Sequence, residues 1–289
     1  MKRILITGKG SYIGNSIKKW LEKWPKDYIV HEVDMISDEW KKKDFSNYDC
    51  ICHVAGIAHT KNVEQDLYEK VNHLLPIRVA RKAQDSKVRQ FIFLSSGAVY
   101  SQNDRKNKNI IVDEKTPFSP NTYYGISKLN AEKDLLELLK NSSMKLVILR
   151  PPIVYGYGAR GNYNLLEKIV EKISVFPKIE NKRSMIFIDN LCEFIRLVIE
   201  KNSEGIFLPQ NREYVTTYKL VQEIGNVKGK KIILISCFNW LINILSYLIN
   251  PLNKAFGNYI YKKNVYFENK YQIVDFKESI HRSQGVKDE

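Results

Sequence analysis

Apolar and polar positions follow two rhythms along the first half of the chain. Short apolar runs predict strands at Arg3–Thr7, Tyr28–Val33, Asp49–Val54, Gln90–Ser95 and Lys145–Leu149. Between them, apolar positions three and four residues apart predict helices over Tyr12–Lys23, Glu64–Ala83 and Thr122–Leu139. Strand–helix alternation of this kind argues for an α/β fold, a parallel sheet with helices on both faces. Ligands of such sheets bind beyond the carboxyl ends of the strands, at the point where the strand order reverses. From Asp34 to Asp44 there are only ten residues, too few for a helical crossover, so the link there is predicted to be a loop.

After Arg150-Pro151-Pro152 the pattern loosens. Helical spacing recurs at Leu165–Ile173, Asn190–Glu200 and Tyr218–Ile224, with short strands near Met185–Ile188, Ile206–Leu208 and Lys231–Ile235. We read residues 1–150 as the sheet domain and 151–289 mainly as a smaller domain, with a strand–helix unit near 185–208 returning to the main sheet. No internal repeat or low-complexity linker is visible.

The first predicted strand runs into ITGKGSYIG, residues 6–14, which then opens a helix. A glycine-rich loop in that context can hold a pyrophosphate on helix N–H groups. Gly8 would make the tight turn and Gly14 would permit helix–strand packing, while Ser11 stands where a third glycine is expected. A second candidate is TYYGISK, residues 122–128, where Tyr124 and Lys128 share a helical face. An ammonium beside a phenol favours the phenolate, and such a tyrosine can exchange a proton with a hydroxyl at neutral pH. The spacing recurs at Tyr259/Lys263 and Tyr266/Lys270 in a chain with 17 tyrosines. Only Tyr124 follows a strand that ends in Ser95-Ser96, whose hydroxyls would sit at the sheet's carboxyl edge.

Composition narrows the choice of partner. Hydrophobic content is 44% and charged content 27%, ordinary for a globular protein. The net charge of +14 comes from lysines scattered among asparagines and isoleucines, with no zinc-finger spacing, aromatic RNA-binding segment or basic-region helix. A lysine-rich solvated surface accounts for it, and no nucleic-acid partner is expected. Cys50, Cys52, Cys192 and Cys237 lack metal-ligand spacing, so no metal site is expected and buried thiols are the reading. The apolar run Ile4–Ile6 is too short for a signal-peptide core, and a cytoplasmic location is expected.

Taken together, these motifs resemble the extended short-chain dehydrogenase/reductase family, the group of nucleotide-sugar epimerases, dehydratases and 4-keto reductases. The resemblance runs from Lys2 to about Gln210. TGKGSYIG is similar to the family's T-G-x-x-G-x-x-G loop, DCICHVAGIAH to its D-x-x-x-H-x-A-A-x-x-H segment, and FLSSGAVY to its S-S-x-x-V-Y strand end. YYGISK, LRPPIVYG and NKRSMIFIDNL resemble the catalytic helix, the stretch closing over nicotinamide and the R-x-x-x-x-V-x-D segment. The resemblance implies a Rossmann-type doubly wound parallel sheet with a smaller α+β substrate domain. It implies NAD as cofactor, held by Gly8, Gly10, Ser11, Tyr12, Ile13, Gly14, Ala55, Gly56, Asn72, Lys128 and Pro151, with Asp44 and Phe45 at the adenine. Asp34 is assigned to the adenosine ribose, with Glu32 as rival. Lys9 beside the loop keeps NADP open. Ser96, Tyr124 and Lys128 are the implied catalytic residues. Ser96, Tyr124, Asn162 and Arg183 are implied to bind a nucleotide-diphosphate sugar, Arg183 through a phosphate. A homodimer is implied as well.

Where the dehydratases carry an acid pair after the catalytic serine, this chain has Gly97 and Ala98, which argues against dehydration. The reading is an NAD-dependent nucleotide-sugar 4-epimerase of the UDP-hexose type, in polysaccharide precursor synthesis. The alternatives are an NAD(P)H-dependent 4-keto-sugar reductase, which the late FGNYIY segment also resembles, and a non-catalytic nucleotide-binding regulator. CFNWLINILSYLIN, residues 237–250, is apolar nearly all round with a narrow stripe of Asn239, Asn243, Ser246 and Asn250. A lid or interface helix is the favoured reading of it, and a helix lying on a membrane the other.

Overall fold

The computed structural model describes residues 1–58, 64–100, 109–113, 115–159, 161–237, 239, 240, 242, 244 and 255–285. Two compact units are present. The first comprises Met1–Val99, Thr122–Pro151 and Leu191–Pro209, and the second Tyr100–Asn121, Pro152–Asn190 and Gln210–Glu289.

The first unit is built on β1 (Lys2–Thr7), β2 (Tyr28–Val33), β3 (Cys50–His53), β4 (Gln90–Leu94), β6 (Lys145–Leu149) and β10 (Gly205–Phe207). They form one sheet in the order β2-β1-β3-β4-β6-β10, and every pairing is parallel. This is the Rossmann-type arrangement. The order reverses at β1, which has β2 on one side and β3 on the other, so a crevice opens beyond Thr7 and His53. Because β3, β4 and β6 are buried on both faces, they read as nearly unbroken apolar runs rather than alternating ones. One face is filled by Leu5, Ile51, Phe91, Phe93 and Ile148 against α3 (Leu75–Asp85) and α4 (Tyr123–Leu139). α1 (Tyr12–Leu21) and α6 (Ile188–Glu200) are joined by a 2.8 Å hydrogen bond from Trp20 Nε1 to Glu193 Oε2.

Two links shape the site. β2 and β3 are joined by a loop with one 3-10 turn, Asp38–Lys41, as the short spacing required. Trp40, Phe45 and Tyr48 of that loop are buried in the core that a crossover helix would have covered. The helix expected over Glu64–Ala83 is not uniform: α2 (Gln65–Tyr68) passes into a π-helical turn, Glu69–Leu74, before α3 begins. A π turn shifts every later side chain round the axis and is commonest at functional sites.

The second unit holds three two-stranded parallel pairs: β5 (Asn109–Val112) with β12 (Asn258–Tyr261), β7 (Ile153–Tyr155) with β9 (Met185–Phe187), and β8 (Val175–Pro177) with β11 (Ile233–Ile235). Its helices are α5 (Asn162–Lys172), α7 (Thr217–Val227) and α8 (Phe276–Ser283). The proposed helix at 237–250 falls mostly outside the described residues. Among the described residues no helix is long and apolar enough to cross a membrane.

Candidate active site

The glycine loop sits at the reversal point and is fixed from both sides. Gly8 has φ +88°, and a Cβ there would stand 3.0 Å from the Ala55 Cα and 3.1 Å from its nitrogen. The turn after β1 therefore lies against the chain leaving β3, and only glycine allows both the angle and the approach. Gly8 and Lys9 donate their N–H groups to the Val33 carbonyl at the end of β2. Gly10 has φ +79°, but a Cβ built on it meets nothing within 4 Å, which leaves open space beside the loop. Ser11 has φ −72° and needs no glycine; it is the N-cap of α1, its Oγ accepting from the Gly14 N–H at 3.2 Å. Gly14 is glycine because a Cβ would lie 2.6 Å from that same Oγ. Tyr12 and Ile13 form the first turn of α1, where the helix dipole favours an anion. Two positive-φ glycines, the space beside Gly10 and the helix start fit a dinucleotide pyrophosphate.

The acids divide. Glu32 is bound by Lys18 at 2.8 Å, its side chain only 10% exposed, which occupies it within the protein. Asp34, just beyond β2, accepts from the Ile36 N–H at 3.1 Å and stays partly exposed next to the loop. Asp44 accepts from the Ser46 N–H and hydroxyl and from Asn47, bonds that hold its carboxyl below the usual range. The Phe45 ring is wholly buried in the core, so only the backbone of that residue can face a ligand.

Ala55 and Gly56 continue the crevice. A Cβ on Gly56 would lie 3.0 Å from Asn72 Oδ1 and 3.4 Å from Lys128 Nζ, so glycine is needed for both groups to approach. Asn72 projects from the π turn and is fully buried. Its amide closes a two-bond ring with Ile57, accepting from the N–H at 2.9 Å and donating to the carbonyl at 3.0 Å. The Lys128 ammonium donates to the Leu94 carbonyl at 2.9 Å and stands 4.6 Å from the centre of the Phe93 ring. Burial lowers its pKa to about 8, against the pull of Glu132 upward.

Ser96 and Tyr124 meet. The Ser96 Oγ accepts from the Ala98 N–H at 3.1 Å, and the residue lies close enough to the Tyr124 phenol to lower its pKa. Pro151 holds this turn in place, its carbonyl accepting from the Gly97 N–H at 2.9 Å. Tyr68 of α2 packs edge-on against Tyr124, ring centres 6.5 Å apart. The expectation that Lys128 lowers the phenol's pKa needs correction. Burial raises it above its ordinary value, Ser96 beside it pulls it down less, and Tyr68 pushes it up. The phenol is therefore protonated at neutral pH in the protein alone.

Sequence reasoning missed the support beneath these groups. Glu132, four residues after Lys128 and on the same helical face, is almost completely buried and takes a hydrogen bond from Ser95. Arg150 grips it through Nε at 3.1 Å to both oxygens and Nη2 at 2.6 Å. His53 was missed too. Its Nδ1 lies 2.9 Å from Thr7 Oγ1, and burial, with Lys128 adding, lowers its pKa to about 3, so the imidazole is neutral.

In the second unit, Asn162 begins α5. Arg183 is half-buried; its backbone pairs with Val215 and its Nη1 donates to the Gly257 carbonyl at 3.3 Å. Burial lowers its pKa to about 10. Neither of the other two Tyr/Lys pairs lies on an α-helix. Lys263 donates to the Asn211 and Arg212 carbonyls, and Lys270 pairs with Glu268.

Comparison with known proteins agrees with this geometry. Residues 4–208 match the NAD dependent epimerase/dehydratase family. The chain is 33% identical over 281 residues to a UDP-glucose 4-epimerase of Vibrio cholerae, covering 89% of this chain and 83% of that one. It is 31% identical over 248 residues to the N-acetyl-alpha-D-glucosaminyl-diphospho-ditrans,octacis-undecaprenol 4-epimerase of Escherichia coli O157:H7, covering 79% and 73%. A crystal structure of dTDP-4-dehydrorhamnose reductase from Bacillus anthracis, in complex with NADP, shares the fold with a TM-score of 0.71 at 18% identity over 99% of both chains.

Proposed function

The chain belongs to the NAD dependent epimerase/dehydratase family, whose members are NAD(P)-dependent enzymes of nucleotide sugars, and on that premise we propose that it is a UDP-hexose-type 4-epimerase. The observation that carries the reading is that Ser96 and Tyr124 come together beyond the end of β4, one crevice away from a loop that fits a pyrophosphate. Two relatives above 30% identity that are named as 4-epimerases support it.

Gly8 to Gly14 hold the pyrophosphate, Asp34 the adenosine ribose, and Asp44 with the Phe45 backbone the adenine. Asn72 fixes the Ala55–Ile57 segment, so that Gly56 and Lys128 can meet the cofactor's other end. NAD, when bound there, supplies the hydride acceptor and donor for sugar C4. Ser96 orients the C4 oxygen. Tyr124, as the phenolate that the positive charge of bound NAD would favour, takes the proton from the C4 hydroxyl and returns it after the ring has turned over. Lys128 contributes positive charge below the site, and Arg183 with Asn162 binds the nucleotide-diphosphate end of the sugar.

One observation favours a second reading, the 4-keto-sugar reductase. A phenol whose pKa is raised is ready to donate a proton to a C4 keto oxygen, and Tyr124 is in that state. The test is to incubate the purified protein with UDP-glucose and UDP-N-acetylglucosamine without added cofactor, then to denature it and identify any nucleotide released. The epimerase converts sugar to its C4 epimer with retained NAD and no net change in nicotinamide absorbance. Stoichiometric consumption of NAD(P)H by a 4-keto sugar, without epimerisation, replaces it with the reductase.

A further inference from the structure

A face of the second unit is apolar, exposed and basic, and the proposed chemistry makes no use of it. β8 and β11 form a two-stranded sheet in which Val175 and Ile233 are register partners. Phe176 is buried beneath this sheet, yet Val175 is 46% and Ile233 54% exposed. The chain leaving β11 is tied to the same place, because Asn239 Nδ2 donates to the Lys178 carbonyl at 2.6 Å. Beyond it, Trp240 is 63% and Ile244 53% exposed.

The charge around this face is positive on balance, with Glu171 and Glu180 as exposed acids. The turn into β11 carries lysines at 228, 230 and 231, and the sequence holds no acidic residue between Glu223 and Glu268. Lys178 and Lys231 flank the small sheet and are exposed. Glu171 is paired with Lys228 at 2.6 Å, and Glu180 accepts from the Tyr218 hydroxyl at 3.0 Å. Exposed tryptophan and aliphatic side chains rimmed by more lysines than acids are what an anionic bilayer surface attracts. The apolar groups enter the headgroup boundary and the lysines meet lipid phosphates. A second copy of the chain would bring the same lysines face to face, and charge argues against it.

We propose that the face made by Val175, Ile233, Trp240 and Ile244, with Lys178 and Lys231, docks the protein peripherally on an anionic lipid bilayer. The proposal is independent of the reaction assigned to the first unit, since it needs neither cofactor nor sugar.

The test is co-sedimentation of the full chain with vesicles of equal parts phosphatidylglycerol and phosphatidylcholine, and with phosphatidylcholine alone. The protein should pellet with the anionic vesicles, less so as salt is raised, and remain in solution with neutral ones. Each lysine near such a surface is worth roughly fivefold in binding, so Lys178→Glu/Lys231→Glu should lower it by more than tenfold. Trp240→Ser/Ile233→Ser should lower it as well, with an unchanged thermal melt; if that pair fails to fold, the lysine pair decides. Absence of binding to anionic vesicles overturns the proposal, as does unchanged binding by the lysine pair. A serine pair that folds, keeps its lipid binding and changes only its oligomeric state in sedimentation velocity reassigns the face to a second copy.

Discussion

Ser11 and Gly14 should be energetically coupled, and the coupling can be worked out from their geometry. The Ser11 hydroxyl caps α1 through the Gly14 N–H. Losing an N-cap serine to alanine costs about 1 kcal/mol, whereas glycine at the same place costs only a few tenths. Alanine at 14 gains about 1 kcal/mol of helix propensity over glycine. Its Cβ, however, would lie 2.6 Å from Ser11 Oγ, 3.2 Å from Val54 Cγ2 and 3.3 Å from the Gly8 carbonyl. The last two contacts need shifts of a few tenths of an ångström, but the first expels the hydroxyl and with it the cap. Gly14→Ala should therefore cost about 1 kcal/mol less in a Ser11→Gly background than in the parent chain. The assay is a double-mutant cycle by urea unfolding, followed by tryptophan fluorescence. Trp20, Trp24 and Trp40 lie in the first unit and Trp240 in the second, so the signal is mainly that of the first. If the two changes add within about 0.3–0.5 kcal/mol, the cap reading is wrong.

Other outcomes follow from the same site. Tyr124→Phe should cut turnover by roughly 10²–10⁴-fold, as expected for a positioned acid/base group, while Tyr259→Phe leaves it nearly unchanged; equal losses would move the site. Burial lowers Lys128 in the folded state, so between about pH 8 and its ordinary value of 10.5 the unfolded chain binds more protons and stability rises with pH. The unfolding free energy of the parent minus that of Lys128→Met should climb across that window, and a flat difference would count against the buried ammonium. Glu132→Ala leaves Arg150 as a buried unpaired charge and should cost about 3–5 kcal/mol, with Glu132→Ala/Arg150→Met recovering part of it; no recovery would show that the pair does not act as a unit. Arg183→Lys keeps the charge but loses the guanidinium fork, so substrate KM should rise with cofactor affinity unchanged; a fall in cofactor affinity alone would reject the assignment.

How much of this could be read in advance depended on the range of the forces involved. The strands β3, β4 and β6 were legible because burial on both faces leaves nearly unbroken apolar runs, and the β2–β3 loop was legible from spacing alone. The π turn was not, since a shift of hydrogen-bond partner by one residue leaves no mark on apolar periodicity, and it decides where Asn72 points. Pairs such as β5–β12 were missed because their strands are short and their partners far along the chain. Ser11 looked like a defect in a glycine pattern, and only the cap geometry shows what the hydroxyl does. The phenol was misjudged for a different reason. Helical spacing does place Lys128 on the face of Tyr124, but spacing carries no measure of desolvation. Glu132 was open to discovery, four residues beyond Lys128, had a buried partner for it been sought.

The return of β10 to the edge of β6 has a consequence for how the protein is made. Synthesis runs from the amino terminus, so β1 to β6 leave the ribosome before residues 152–190 of the other unit, and β10 follows only after both. Through that interval the β6 edge has no strand to pair with, and Trp20 waits for Glu193. An unpaired edge of a nascent sheet invites pairing with another chain, and here the hazard lasts as long as the ribosome takes to reach Gly205. The latest-made strand of the first unit is thus its latch, and a polypeptide released early is left recognisably ajar.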